Sequence, residues 1–190
     1  YTLWHTLSLH DALPISNDWL ELAAGTADAQ GTYRISGGTL NAGRVSNGSV
    51  GTGLFHIIGD AAAINLTGSG GTSYSQNAAS TLKLDINGIS PINATAAVSL
   101  AGTLDVEFLV TPTVGQQFTI INYGSLTGTF GTFDNFVDSP LGTDSIELSI
   151  DYGSGSNDAV VLTAVTGIPE PASLAMGLFG MTLIAGRRRR

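Results

Sequence analysis

The chain has 190 residues, enough for one domain, and a formal net charge of −8. Up to Ile168, three basic residues stand against fourteen acidic ones, and the other four basic residues are the arginines at 187–190. Phosphate backbones repel such a body, so the charge excludes nucleic acid as a partner. The absence of cysteine excludes disulfides, a thiolate nucleophile and thiolate zinc sites. Gly, Ser, Thr and Asn dominate the polar residues, a composition that disfavours helices and predicts an all-β chain.

The first sixteen residues differ in character from the rest. The stretch "TLSLHDALPI" at residues 6–15 resembles the translation of a common sequencing-adapter oligonucleotide. We therefore expect residues 1–16 to be a non-native segment and the body to span residues 17–167. The lack of a visible export signal at the start of the chain then carries little weight. His5 and His10 also drop out as functional candidates, which leaves His56.

The body is predicted to consist of short strands joined by turns. "TLKLDING", "TLDVEF" and "SIELSIDY" alternate apolar and polar residues with a period of two, as half-buried strands do. "QQFTIINY" and "AVVLTAV" are more continuously apolar, as in strands covered on both faces. Gly/Asn/Ser-rich stretches separate the strands and indicate turns.

Two all-β architectures fit these strands. One is a β-solenoid, or parallel β-helix, in which short strands of successive coils stack into parallel sheets. The other is an antiparallel β-sandwich of about eight strands. The short strands and small residues between Thr32 and Leu66 favour the solenoid, although no strict repeat is visible there. The longer alternating strands from Leu82 onward are expected to pair antiparallel at the C-terminal end of the same domain.

The segment from Ser99 to Val165 resembles the part that closes many autotransporter-like and PEP-CTERM β-solenoid bodies. That part typically reads strand, Pro, Gly, a Phe-containing strand, a Gly-x-Phe turn and two final strands ending near a Tyr. The resemblance implies architecture only. The matching positions here are Pro112, Gly115, Phe118, Gly128, Phe130 and Tyr152.

The end of the chain, "IPEPASLAMGLFGMTLIAGRRRR", has three parts in order. Pro169, Glu170 and Pro171 are followed by an apolar segment at 172–186, expected to be a short hydrophobic helix, and by the arginines at 187–190. Residues 168–190 closely resemble the PEP-CTERM sorting signal of exported bacterial proteins. The resemblance implies transient insertion of the tail in the inner membrane and recognition by an exosortase at the Pro-Glu-Pro motif. Cleavage would then release the body outside or attach it there.

The length and charge of the tail predict how it would lie in a membrane. A fifteen-residue helix spans about 22 Å, short of a hydrocarbon core of roughly 30 Å, which suits a transient anchor. By the positive-inside rule, Arg187, Arg188, Arg189 and Arg190 stay cytoplasmic and place the body on the other side.

Candidates for chemistry in the body are few. His56 is interpreted as a half-buried or surface strand histidine, because no Ser, His and Asp form a known local motif. Asp105 and Glu107 share one face of a strand, as do Glu147 and Asp151, which solvent-facing alternation explains without catalysis. No catalytic residue is assigned, and we expect a role other than catalysis.

Calcium is the ion best suited to the loops, although no cofactor is required by the sequence. Two loops offer several hard oxygen ligands without following an EF-hand or nonapeptide pattern. The first loop contributes Asp134, Asn135, Asp138 and Asp144, and the second Asp151, Asn157 and Asp158.

We therefore expect an exported bacterial surface or extracellular-matrix protein with a structural or adhesive role. Extracellular polysaccharide is a candidate partner, bound through exposed aromatics such as Tyr33, Tyr74 and Tyr123. The alternative is a secreted carbohydrate-active enzyme or glycan-binding module on a β-helix.

Overall fold

A computed structural model describes residues 4–9, 19–68, 71–88, 91–133, 136–137, 146–156 and 158–166. Every regular element among these residues is a strand. In chain order the strands are β1 (Trp4–Leu9), β2 (Trp19–Leu22), β3 (Gln30–Ile35), β4 (Gly38–Ala42), β5 (Arg44–Asn47), β6 (Thr52–Ile58), β7 (Ala62–Leu66), β8 (Thr72–Gln76), β9 (Thr81–Ile86), β10 (Ile92–Ala94), β11 (Ala97–Leu100), β12 (Thr103–Phe108), β13 (Gln117–Tyr123), β14 (Ser125–Gly128), β15 (Thr132–Phe133), β16 (Phe136–Val137), β17 (Ile146–Asp151) and β18 (Asp158–Thr166).

Successive strands visit three sheets in turn. The first sheet has the order β1-β3-β6-β9-β12-β15, the second β16-β17-β18-β13-β10-β7-β4, and the third β14-β11-β8-β5-β2. Strands of successive coils pair in parallel in all three sheets. The body is therefore a β-solenoid of about four turns with three strands per full turn. The solenoid prediction is confirmed, and the antiparallel sandwich is wrong.

The C-terminal end of the solenoid is closed by antiparallel strands. β18 pairs antiparallel with both β13 and β17, and β16 pairs antiparallel with β17. The expectation of antiparallel pairing from Leu82 onward is right for these strands and wrong for β9 and β12, which pair in parallel. Alternation shows only that one face is buried, and a parallel coil satisfies that condition as well as a hairpin does.

The interior is filled by aligned apolar rows. In the first sheet, Tyr33, Phe55, Leu82, Leu104 and Phe133 lie in register on five successive strands. The first four are fully buried. The aligned residues are 22, 27, 22 and 29 positions apart in the chain. These unequal steps explain why the sequence shows no strict period, since the corner loops differ in length while the strands stay aligned.

The outer faces carry rows of like polar residues. Asn41, Asn65, Asn93 and Asn122 lie in register on four strands of the second sheet. From Asn65 onward, each side-chain Nδ2 donates to the Oδ1 of the asparagine on the preceding coil, at 3.1, 3.4 and 2.8 Å along the row. Stacked coils place identical amides one strand spacing apart, where each can donate to the next. The recurrence of asparagine at these four positions thus fits the stacking of the coils.

A buried polar cluster fills the corner between the third and first sheets. The Gln76 Oε1 accepts from Tyr74 Oη at 2.9 Å and from Asn47 Nδ2 at 3.1 Å. The Gln76 Nε2 donates to the backbone oxygens of Ala101 at 2.8 Å and Thr103 at 2.9 Å. Burial raises the pKa of the Tyr74 hydroxyl, although its hydrogen bond to Asn47 acts in the opposite direction. The cluster links three consecutive coils.

Candidate functional sites

The outer face of the first sheet carries a charged cluster centred on Lys83. Its Nζ lies 3.1 Å from Glu107 Oε2, 3.4 Å from Asp105 Oδ2 and 3.9 Å from Asp85 Oδ1. The hydrogen bond to Glu107 raises the pKa of Lys83, as do the charges of Asp105, Asp85 and Glu107, against an opposing effect of burial. Parallel register creates the cluster, because Lys83 lies opposite Asp105 and Asp85 lies opposite Glu107 on β9 and β12.

His56 extends this cluster by one coil. It is 5% exposed, and its Nε2 lies 2.8 Å from Asp85 Oδ2. The other carboxylate oxygen of Asp85 is buried without a hydrogen-bond partner, at 3.9 Å from Lys83 Nζ. The sequence-based expectation of a half-buried or surface histidine is therefore wrong, because His56 is buried and paired. The alternation of the sequence places Lys83 with Asp85, and Asp105 with Glu107, on the polar faces of their strands. It does not predict the contacts between these pairs or the contact with His56, because these depend on the register between coils.

The chemistry of this cluster is charge pairing. Three carboxylates and a histidine converge, but the ammonium of Lys83 lies among them. In the described part of the chain, no group of three His, Cys, Asp or Glu side chains is arranged to hold a metal ion. The pairing lets acidic strands lie side by side without strong repulsion.

Replacing Lys83 with methionine is expected to lower the free energy of unfolding by about 1 kcal/mol at low ionic strength. The change leaves Asp85, Asp105 and Glu107 facing one another without a cation. The loss should shrink in about 1 M salt, where charges more than about 3 Å apart are screened. Urea unfolding at both ionic strengths measures it. The control is Arg34→Met, at an exposed position on the same face of the sheet. A loss for Lys83→Met that does not depend on salt would mean that the aliphatic stem of Lys83 matters more than its charge.

One of the two calcium candidates is partly described. Asp151 Oδ1 accepts the N–H of Gly153 at 2.9 Å. The Asp158 carboxylate accepts the N–H groups of Ser154 at 3.0 Å and Ala159 at 2.8 Å, and these hydrogen bonds lower its pKa. Both carboxylates are thus engaged by their own turn. The remaining proposed ligands lie outside the described residues: Asp134, Asn135, Asp138, Asp144 and Asn157.

The aromatic side chains proposed for glycan binding are not at the surface. Tyr33 and Tyr74 are 0% exposed and Tyr123 is 4% exposed, so that expectation is wrong. All three point inward because they occupy the core positions of their strands. The exposed aromatic among the large hydrophobic residues of the described chain is Trp19 on β2, with the Arg44 guanidinium carbon 5.2 Å from its ring centroid.

In the segment from Ser99 to Val165, the residues that match the closing part of other β-solenoid bodies connect the last coil to the terminal hairpin. Phe118 and Phe130 are buried, and Pro112 is buried in the loop between β12 and β13. The Tyr152 hydroxyl accepts the N–H of Phe130 at 3.1 Å, and the two rings lie 6.3 Å apart. Gly115, like Gly128, has a positive φ that favours glycine.

The fold defines the chain as a β-solenoid protein closed at its C-terminal end by antiparallel strands. Residues 167–190 match the family model of the PEP-CTERM protein-sorting motif. The chain is therefore an exported, cell-envelope-associated protein that an exosortase sorts. No curated protein and no solved structure matches it.

The matched motif, including the expected hydrophobic helix at 172–186, lies outside the described residues. Among the residues that the structure does describe, no helix has the length and apolar character needed to cross a membrane.

Proposed function

We propose that this chain is a surface or extracellular-matrix protein with a structural or adhesive role, delivered by a cleavable C-terminal signal. The match of the sorting motif to residues 167–190, directly after the end of β18 at Thr166, carries the proposal. The body supports it in two ways. Its interior is a continuous apolar core, and its outer faces carry self-paired amides and a charge-paired cluster.

Each part of the tail has a role in this proposal. Pro169, Glu170 and Pro171 form the site at which the exosortase recognises and cleaves the chain. The apolar segment at 172–186 anchors the precursor transiently in the inner membrane. The arginines at 187–190 keep the end of the chain in the cytoplasm, because positive charges are retained there. Cleavage separates the solenoid from the apolar segment and from the arginines.

Extracellular polysaccharide is the proposed neighbour of the mature body. With the three tyrosines buried, Trp19 is the exposed aromatic residue of the described body that could stack on a sugar ring. The amide row from Asn41 to Asn122 offers hydrogen-bonding groups instead. An acidic, hydroxyl-rich and amide-rich surface suits a hydrated polymer layer better than a nucleic acid or an anionic membrane.

The test is the C-terminal mass of the mature protein from a host that carries the sorting enzyme. We expect a new C-terminus at or near Pro169–Pro171. The double substitution Pro169→Ala with Pro171→Ala should abolish this processing, because it removes the motif while keeping the apolar segment and the arginines. Pro91→Ala, in the body, is the control and should leave processing intact. An unprocessed wild-type protein that ends at Arg190 would contradict the proposed cleavage.

One observation favours the alternative of a carbohydrate-active enzyme. Asp85, Asp105 and Glu107 converge on one face, and clustered carboxylates are the groups that glycoside cleavage uses. An assay for reducing ends, with acidic and neutral polysaccharides, distinguishes the two functions. Release of reducing ends that is lost in Asp105→Asn and Glu107→Gln would support the enzyme. Unchanged polysaccharide would support the structural role.

A further inference from the structure

The loop between β12 and β13, residues 109–116, is the most apolar exposed segment of the described body. Leu109, Val110 and Val114 are 52%, 62% and 59% exposed. They account for three of the five large hydrophobic side chains exposed among the described residues. The chain from Phe108 to Phe133 contains no charged residue, so a contact with an apolar phase would desolvate no charge there.

This loop lies beside the point where the chain leaves the body. The N–H of Gly115 donates to the carbonyl of Ala164 at 2.7 Å, and the N–H of Ala164 donates to the carbonyl of Gln116 at 2.9 Å. Ala164 is followed by only two more residues before β18 ends at Thr166. The last residues of β18, which lead into the sorting motif, are therefore hydrogen-bonded to this loop.

The connection between the body and the apolar tail is short. Five residues separate Thr166 from Ala172, where the apolar segment starts. The six Cα–Cα steps from Thr166 to Ala172 span at most about 22 Å when the chain is fully extended. Once the apolar segment is inserted in a bilayer, the end of β18 is held within that distance of the membrane surface, and the loop bonded to β18 is held there with it.

We propose that loop 109–116 contacts the surface of the bilayer in which the tail is inserted, with Leu109, Val110 and Val114 entering the interfacial region. The inference rests on the membrane insertion of the tail in the proposed function. The acidic body disfavours an anionic lipid surface, so the contact is with the apolar part of a zwitterionic interface. Docked in this way, the loop would hold Pro169–Pro171 close to the bilayer surface until cleavage.

Because the chain has no cysteine, single-cysteine labelling tests the contact directly. An environment-sensitive fluorophore is attached to Val110→Cys, Val114→Cys and Asn41→Cys, each in the full chain reconstituted in phosphatidylcholine vesicles. Asn41 is the matched control, because it is exposed on β4, three strands from β13 in the second sheet. A fourth variant, Leu178→Cys, reports on the tail. Spin-labelled lipids serve as quenchers.

We expect labels at 110 and 114 to be quenched at least about twofold more than the label at 41, with a blue-shifted emission. A quenched label at 178 with aqueous labels at 110 and 114 would overturn the loop contact and leave tail insertion standing. An aqueous label at 178 would overturn both.

Two further outcomes identify a different occupant of the loop. Shielding of the loop labels without vesicles that grows with protein concentration would indicate a second copy of the chain. Shielding without vesicles that is independent of concentration would indicate the chain's own segment at 172–186. Either result, together with no lipid quenching of the loop labels in vesicles, would overturn the membrane contact.

Discussion

Replacing Gln76 with alanine is expected to lower the free energy of unfolding by about 3–5 kcal/mol. The side chain is 4% exposed in the corner between the third and first sheets. Its amide nitrogen donates to the carbonyls of Ala101 at 2.8 Å and Thr103 at 2.9 Å, which belong to the next coil. Its oxygen accepts from Tyr74 and from Asn47, which belongs to the preceding coil. One substitution therefore removes partners from several buried groups in adjacent coils.

The size of the expected loss follows from what remains in the corner. After truncation, the Tyr74 hydroxyl loses the oxygen to which it donates and the backbone carbonyls lose a shared donor. A buried polar group without a partner costs about 1–3 kcal/mol, and more than one group is affected here. Asn47 retains the carbonyl of Thr81 as an acceptor at 2.8 Å, so its own loss is partial.

Urea unfolding of Gln76→Ala and Gln30→Ala measures the effect. Gln30 is exposed at the start of β3, so its truncation should change the free energy of unfolding by less than about 0.5 kcal/mol. A loss below about 1 kcal/mol for Gln76→Ala would argue against the account, since it would mean that water fills the space and satisfies the orphaned groups.

Composition and alternation were sufficient to predict the all-β class and the orientation of several strands. Leu82, Leu84 and Ile86 point inward as predicted, because alternate residues of a strand face opposite sides. Coil register could not be obtained in this way, because the corner loops vary in length. The row of asparagines did leave a signal, since each follows Leu or Ile: Leu40-Asn41, Ile64-Asn65, Ile92-Asn93 and Ile121-Asn122.

The same distinction between local sequence and coil register applies to the candidate sites. The sorting motif is a contiguous segment, so it could be predicted without any structure, and the family model matches residues 167–190. The cluster around Lys83 joins residues from three coils, and its contacts depend on the parallel register of β6, β9 and β12. The prediction that the three tyrosines are exposed is wrong for a related reason. A hydroxyl-bearing aromatic suits an exposed face or a satisfied core position equally well, and only the neighbouring coils decide between them.

Replacing Gly102 with alanine is expected to lower the free energy of unfolding by about 4 kcal/mol or to prevent folding altogether. Gly102 has a φ of +68°, which side chains other than glycine rarely adopt. A Cβ there would lie 2.3 Å from the carbonyl oxygen of Ser80 and 2.5 Å from that of Asn77. Both are backbone atoms of the preceding coil, so relief requires the coils to move apart.

Two other glycines separate the conformational cost of a positive φ from the steric cost of the added Cβ. Gly59 has a φ of +71° but open space around its Cβ position, so Gly59→Ala should cost only the conformational part, about 1–2 kcal/mol. Gly155 has neither constraint, and Gly155→Ala should be nearly neutral. Urea unfolding of the three variants gives the steric contribution as the difference between the first two. If Gly102→Ala lowered the free energy of unfolding no more than Gly59→Ala does, the coils would be able to move apart easily at this corner. The solenoid would then be held together by its sheets and apolar rows rather than by close backbone contact at its corners.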